Sequence, residues 1–130
     1  MNIIEGNKLI AEFMGYIYFP YVYELKKDGF NRWGWRKGKP HLPGGNSKID
    51  IGKTHYIGRH HRDLKFHEDW NWLNDVVKKI FILSKENDLF INRKFGPILS
   101  EIKKNLMEID IDKVWESSMF FIEKYNEHNE

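Results

Sequence analysis

Apolar residues at helical spacing dominate the second half of the chain. In residues 70–84 they recur at every third or fourth position, which is typical of one buried face of an α-helix. Residues 97–107 and 111–127 repeat the pattern, although a strand is the alternative for 97–107. Helix-starting residues precede or open all three segments, namely Asp69, Pro97 and Asp110. The sequence therefore predicts three C-terminal helices, with Trp70 and Trp115 in their core.

The first half of the chain has a mixed pattern. Residues 3–14 are predicted to form a helix that ends before Gly15, although Gly6 weakens its first turn. Residues 16–24 are aromatic and β-branched and predict a strand, in which Pro20 requires an edge position or a bulge. Residues 48–57 predict a second strand that pairs with the first as an antiparallel hairpin.

Turn signals fill residues 25–47, between the two predicted strands. They include Asp28-Gly29 and Pro43-Gly44-Gly45, and they predict one long loop. The predicted fold class is α+β: an N-terminal helix, an antiparallel β-hairpin with a long basic aromatic loop, then three helices. A length of 130 residues predicts a single domain over 1–130.

Composition excludes several classes of protein. The chain has no cysteine, which excludes a disulfide scaffold and a thiolate metal site. No apolar run approaches the roughly 18 residues of a membrane span. Met1 to Glu5 lack the basic region and apolar core of a signal peptide. We expect a cytoplasmic protein that does not bind membranes.

Charge is concentrated in one segment. Residues 26–65 hold eleven Lys and Arg against three Asp, a net charge of +8, whereas the rest of the chain is −6 and the total is +2. A concentrated positive field attracts anions and speeds their encounter with the protein.

Aromatic residues are interleaved with these positive charges. Phe30, Trp33, Trp35 and Tyr56 lie in the basic segment, and a cation beside a flat ring suits a phosphate and a base. Two alternatives stay open: a solvated basic face over buried aromatic rings, with no ligand, or a basic face that binds an acidic protein surface. The candidate ligand-binding residues are Arg32, Trp33, Trp35, Arg36, Lys37, Lys39, Arg59, His60, His61 and Arg62.

Four histidines cluster at positions 55, 60, 61 and 67. Histidine suits zinc, but the spacing lacks an H-E-x-x-H motif, and Arg59 and Arg62 oppose a cation. We interpret Arg59-His60-His61-Arg62 as an anion-binding quartet, and we expect no metal and no other cofactor.

Motifs of catalysis are missing. The chain has no G-x-S-x-G elbow, and residues 43–48 lack the spacing of a phosphate loop. No pair of Asp or Glu residues in the sequence stands out as a general acid and a general base. We therefore predict a non-enzyme, with a histidine-based metal nuclease as the least implausible enzyme.

Three stretches carry a resemblance to known proteins. They are residues 7–15 (NKLIAEFMG), His67 followed by residues 70–73 and 76–80, and Val114-Trp115 leading into FIEKYN at 121–126. Together they resemble a group of small bacteriophage and prophage proteins, especially of Bacteroidota, and are distantly similar to the phage ABA-sandwich domain. The resemblance implies a protein made in the cytoplasm of an infected bacterium, with no catalytic residues to carry over.

Two functions follow as hypotheses. The first is a phage protein that counters host immunity, either by binding an anionic signalling nucleotide or by blocking a host immune protein. Assembly into a homo-oligomer would supply a pocket that one small chain lacks. The alternative is a nucleic-acid-binding protein that uses the basic aromatic arm.

Overall fold

The computed structural model describes residues 2–25, 30–37, 56–58 and 60–129, with side chains for residues 2–18 and 60–129. The chain divides into two compact units, a finer division than the predicted single domain. Residues 1–10 and 65–130 form one, called here the helical unit, and residues 11–64 form the other, the sheet unit. Among the described residues, no helix has the length and apolar character to span a membrane.

Most of the described residues are helical, and all four predicted helices are confirmed. They are α1 (Ile3–Phe13), α2 (Trp70–Glu86), α3 (Gly96–Met107) and α4 (Ile111–His128). The predicted caps explain where two of them begin: Asp69 accepts a hydrogen bond from the backbone of Asn71 at 2.8 Å, and Asp110 accepts one from Lys113 at 3.2 Å. After α1, Gly15 takes a positive φ of 87°, which a glycine adopts without steric cost.

The core of the helical unit is built from the apolar stripes of α2, α3 and α4. Phe95 and Phe121 are fully buried, with ring centroids 5.5 Å apart. Trp115 is 6% exposed, as predicted. The prediction that Trp70 is a core residue is wrong in part, because this side chain is only half-buried at the first residue of α2.

Three strands form an antiparallel sheet in the order β1-β2-β3. They are β1 (Tyr16–Leu25), β2 (Phe30–Lys37) and β3 (Tyr56–Gly58). The predicted hairpin of 16–24 with 48–57 is wrong, because β1 pairs with β2 and β3 also pairs with β2. The predicted long loop is wrong over residues 30–37, which form β2. Residues 48–55 of the predicted second strand lie outside the described residues.

The predicted effect of Pro20 is confirmed. The β1–β2 register shifts between Phe19 and Tyr23, and β1 lies at an edge of the sheet that the described strands form. Proline has no backbone N–H to donate to a neighbouring strand, so an irregularity at an edge is where a sheet tolerates it.

Gly6 faces the core of the helical unit rather than simply weakening α1. A Cβ at this position would lie 2.5 Å from Cζ2 of Trp115 and 2.8 Å from Sδ of Met119. The glycine is therefore the residue that lets α1 approach α4 this closely.

We expect Gly6→Ala to destabilise the protein, although alanine favours helix by about 1 kcal/mol over glycine. Overpacking against Trp115 should lower the free energy of unfolding by about 1–3 kcal/mol. Urea denaturation measures this difference. Glu5→Ala, on the exposed side of α1, is the control and should change stability by less than about 0.5 kcal/mol. A more stable Gly6→Ala protein would contradict the close approach.

Candidate anion-binding site

Strand β2 carries half of the candidate ligand-binding residues. Its eight residues include three cations and no acidic residue. Lys39 and Arg59 lie outside the described residues. The candidates on β2 are Arg32, Trp33, Trp35, Arg36 and Lys37.

The register places this basic strand at the centre of the sheet. Trp35 is opposite Tyr18 of β1 on one side and Gly58 of β3 on the other. Arg36 is flanked in the same way by Ile17 and Tyr56. Because β3 ends at Gly58, the chain leaves the sheet beside Trp35 and reaches His60 two residues later.

The segment after β3 lies across one face of the sheet. The rings of His61 and Tyr18 are 4.4 Å apart between centroids and tilted by 51°. Tyr18 is on β1, and β2 lies between β1 and the end of β3, from which the chain continues to His61. To contact the Tyr18 ring, His61 must therefore lie over the face of the sheet from which Tyr18 projects. Both side chains are half-buried, which leaves part of each ring accessible.

A 3₁₀ turn fixes this segment. It spans His61–Asp63, and the backbone N–H of His60 donates to Oδ2 of Asp63 at 2.9 Å. Leu64 follows and is fully buried, whereas His60 and Arg62 are exposed. The turn therefore presents an imidazole and a guanidinium to solvent from an ordered backbone, with Asp63 offsetting part of the positive charge.

The two units differ in charge. The sheet unit has ten Lys and Arg against five Asp and Glu, a net +5, whereas the helical unit has eleven against fourteen, a net −3. The positive charge that the sequence shows is therefore a property of the sheet unit. An anion is drawn to this unit in preference to the helical one.

His67, the last histidine of the predicted cluster, belongs to the helical unit. Its Nδ1 lies 2.8 Å from Nδ2 of Asn7, and the indole N–H of Trp115 donates to Oδ1 of Asn7 at 2.8 Å. An indole can only donate, so the Asn7 amide has a single orientation and its NH₂ donates to His67. Neutral His67 therefore carries its proton on Nε2.

No metal site emerges from the described residues. Within them, no group of three or more His, Asp or Glu side chains is arranged to hold a metal ion. His55, the first histidine of the predicted cluster, lies outside the described residues.

Tyr18 is the site residue that sequence reasoning missed. Its strand was recognisable from its aromatic and β-branched residues, but no sequence signal indicates a contact with His61, which is far along the chain. The contact depends on the strand order, which local patterns do not determine.

Comparison with known proteins gives no match. No protein-family model, no curated protein and no solved structure matches the chain. The resemblance to small phage proteins thus remains a prediction.

Proposed function

We propose that the protein binds an anionic ligand, a nucleotide, on its sheet unit. The observation that carries the proposal is the packing of His61 on Tyr18. It brings the basic turn of residues 60–62 over the face of the sheet to which Tyr18 and its register partner Trp35 belong, and positions 33 and 37 of β2 lie on that same face. The basic turn and the cation Lys37, which are distant in sequence, thus belong to one face of the sheet.

The chemistry of these residues suits a nucleotide. Guanidinium groups bind phosphate oxygens through paired, charge-assisted hydrogen bonds. Aromatic rings offer a flat apolar face on which a base can stack, at about 1–3 kcal/mol per base. Tyr18 and His61 supply such faces next to the basic turn that carries Arg62.

The biological setting follows from the resemblance to phage proteins. In an infected bacterium, a small protein that sequesters a signalling nucleotide would counter host immunity from the cytoplasm. Alternatively, the protein would counter host immunity by using the same basic surface to block a host immune protein. A homo-oligomer would enclose more of the ligand than one sheet surface does.

Calorimetric titration tests the proposal. The panel comprises cyclic dinucleotides, cyclic trinucleotides and cyclised ADP-ribose derivatives. We expect one of them to bind with a dissociation constant of about 1 μM or below, which corresponds to about −8 kcal/mol. Native mass spectrometry of the same complex reports the number of chains per ligand. The absence of heat with every member of the panel would contradict the nucleotide proposal.

Nucleic-acid binding is the second candidate, favoured by the alternation of cations and aromatic residues along the extended strand β2. The salt dependence of the binding constant distinguishes nucleic-acid binding from nucleotide binding. A protein that neutralises about five phosphates of a single strand loses affinity with a slope near −3.5 in a plot of log K against log salt. A compact nucleotide with two or three phosphates displaces fewer counterions and gives a shallower slope. Failure to shift an oligonucleotide at low salt would eliminate this candidate.

A further inference from the structure

The groove between α3 and α4 has the features of a second, separate ligand site. It has a volume of about 560 Å³ and belongs wholly to the helical unit. Ile98 and Phe120 give it apolar walls, and Asn105 lies at its floor with 3% of its surface exposed. None of these residues takes part in the proposed nucleotide site.

Hydrogen bonds fix the orientation of the Asn105 amide. Its Nδ2 donates to the backbone carbonyl of Lys113 and to Oγ of Ser117, both at 3.2 Å. Ser117 donates its own proton to that same carbonyl at 2.7 Å, so its oxygen is an acceptor for Asn105. If the amide were flipped, its carbonyl oxygen would face two acceptors, the Lys113 carbonyl and Oγ of Ser117. The oxygen Oδ1 must therefore point away from both.

The carbonyl oxygen of Asn105 is consequently left without a partner. Within the described residues, Oδ1 is buried and accepts no hydrogen bond. Most buried acceptors in proteins are paired, and an unpaired one is costly. A ligand in the groove that offers an N–H would satisfy this oxygen.

Two carboxylates set the charge that such a ligand should carry. Glu101 and Glu116 line the groove, and neither forms an ion pair with another described residue. Lys113 also lines the groove, but its Nζ lies 3.8 Å from Oε2 of Glu108, which offsets its charge. The groove is therefore a negatively charged site within a unit that is itself negative.

We propose that this groove binds a small organic cation with N–H donors and an apolar body, such as an aliphatic amine or guanidine. The apolar stem lies between Ile98 and Phe120. One N–H donates to Oδ1 of Asn105, and the positive charge is held by Glu101 and Glu116. Because Oδ1 is closed to water, binding includes a small opening of side chains at the floor of the groove.

Agmatine, which has a guanidinium and an ammonium group on a four-carbon stem, is the probe. We expect its titration to shift the amide signals of Ile98 and Phe120 and the side-chain amide signal of Asn105, with saturation at millimolar concentrations or below. Replacing both groove carboxylates (Glu101→Gln with Glu116→Gln) should weaken binding at least about ten-fold, because hydrogen bonds to charged groups are the stronger ones. Both side chains are exposed, so this variant should fold.

The matched control removes two exposed carboxylates outside the groove, through Glu86→Gln with Asp88→Asn, and should bind agmatine as the unmodified protein does. n-Butylurea, a neutral compound with N–H donors, should bind at least about ten-fold more weakly than agmatine. No saturable shift with agmatine up to about 10 mM, or equal affinity in the groove variant, would overturn the proposal.

Discussion

Replacing Asn7 by leucine is expected to lower the free energy of unfolding by about 2–4 kcal/mol. Asn7 is 1% exposed and is the central member of the chain that runs from Trp115 to His67. Leucine would leave the buried indole N–H of Trp115 without an acceptor and Nδ1 of His67 without a donor. His67 is part-exposed and can turn to water, whereas the indole is 6% exposed, so most of the loss arises at Trp115.

Thermal denaturation followed by circular dichroism measures this effect. For a chain of this size, such a loss corresponds to a melting temperature lower by about 6–12 °C. Asn74→Leu, which makes the same exchange on the exposed surface of α2, is the matched control and should change little. An Asn7→Leu protein as stable as the control would show that the Trp115–Asn7–His67 chain does not stabilise the helical unit.

Reversing one charge on β2 and one on the basic turn, through Lys37→Glu with Arg62→Glu, is expected to weaken nucleotide binding at least about 100-fold. Charge-assisted hydrogen bonds are worth about 1.5–3 kcal/mol each, so loss of two contributes about 3 kcal/mol or more. The new carboxylates also repel phosphate. Because β2 is the central strand, the variant's folded state is first verified by its circular dichroism spectrum and melting temperature.

The matched control for this variant reverses two exposed cations of the helical unit, through Lys78→Glu with Arg93→Glu. It changes the net charge of the chain equally, so it corrects for non-specific attraction. Calorimetry on both variants should show binding retained in the control and lost in the Lys37→Glu, Arg62→Glu variant. Equal weakening in the two would mean that net charge, not the sheet surface, attracts the ligand.

The helices were predictable because their signals are local. Apolar stripes and capping side chains at Asp69 and Asp110 lie within the segments that they define, and the structure confirms them. The role of Gly6 was not predictable in this way, since it depends on where Trp115 of α4 lies.

Strand β2 was missed for a physical reason. Its sequence, FNRWGWRK, contains a glycine and three cations and lacks a regular alternation of apolar and polar residues. Its stability depends on pairing with neighbours on both sides, which local patterns do not show. Asp28-Gly29, between β1 and β2, was the available signal, because this dipeptide favours tight hairpin turns.

The candidate site was predictable in its residue types but not in its arrangement. The basic and aromatic composition is visible in the sequence, whereas the contact of His61 with Tyr18 depends on strand order. Asn105 of the α3–α4 groove offered a weak signal, since it lies seven residues after Ile98 on the same helical stripe.

Amide NMR titration of the protein with the nucleotide that binds in calorimetry tests whether the sheet unit holds the ligand. We predict that the signals that shift belong to residues 16–18, 30–37 and 56–63 of the sheet unit, while those of α2, α3 and α4 stay in place. Shifts confined to the helical unit, with the signals of β2 and of residues 60–62 unchanged, would contradict nucleotide binding on the sheet unit.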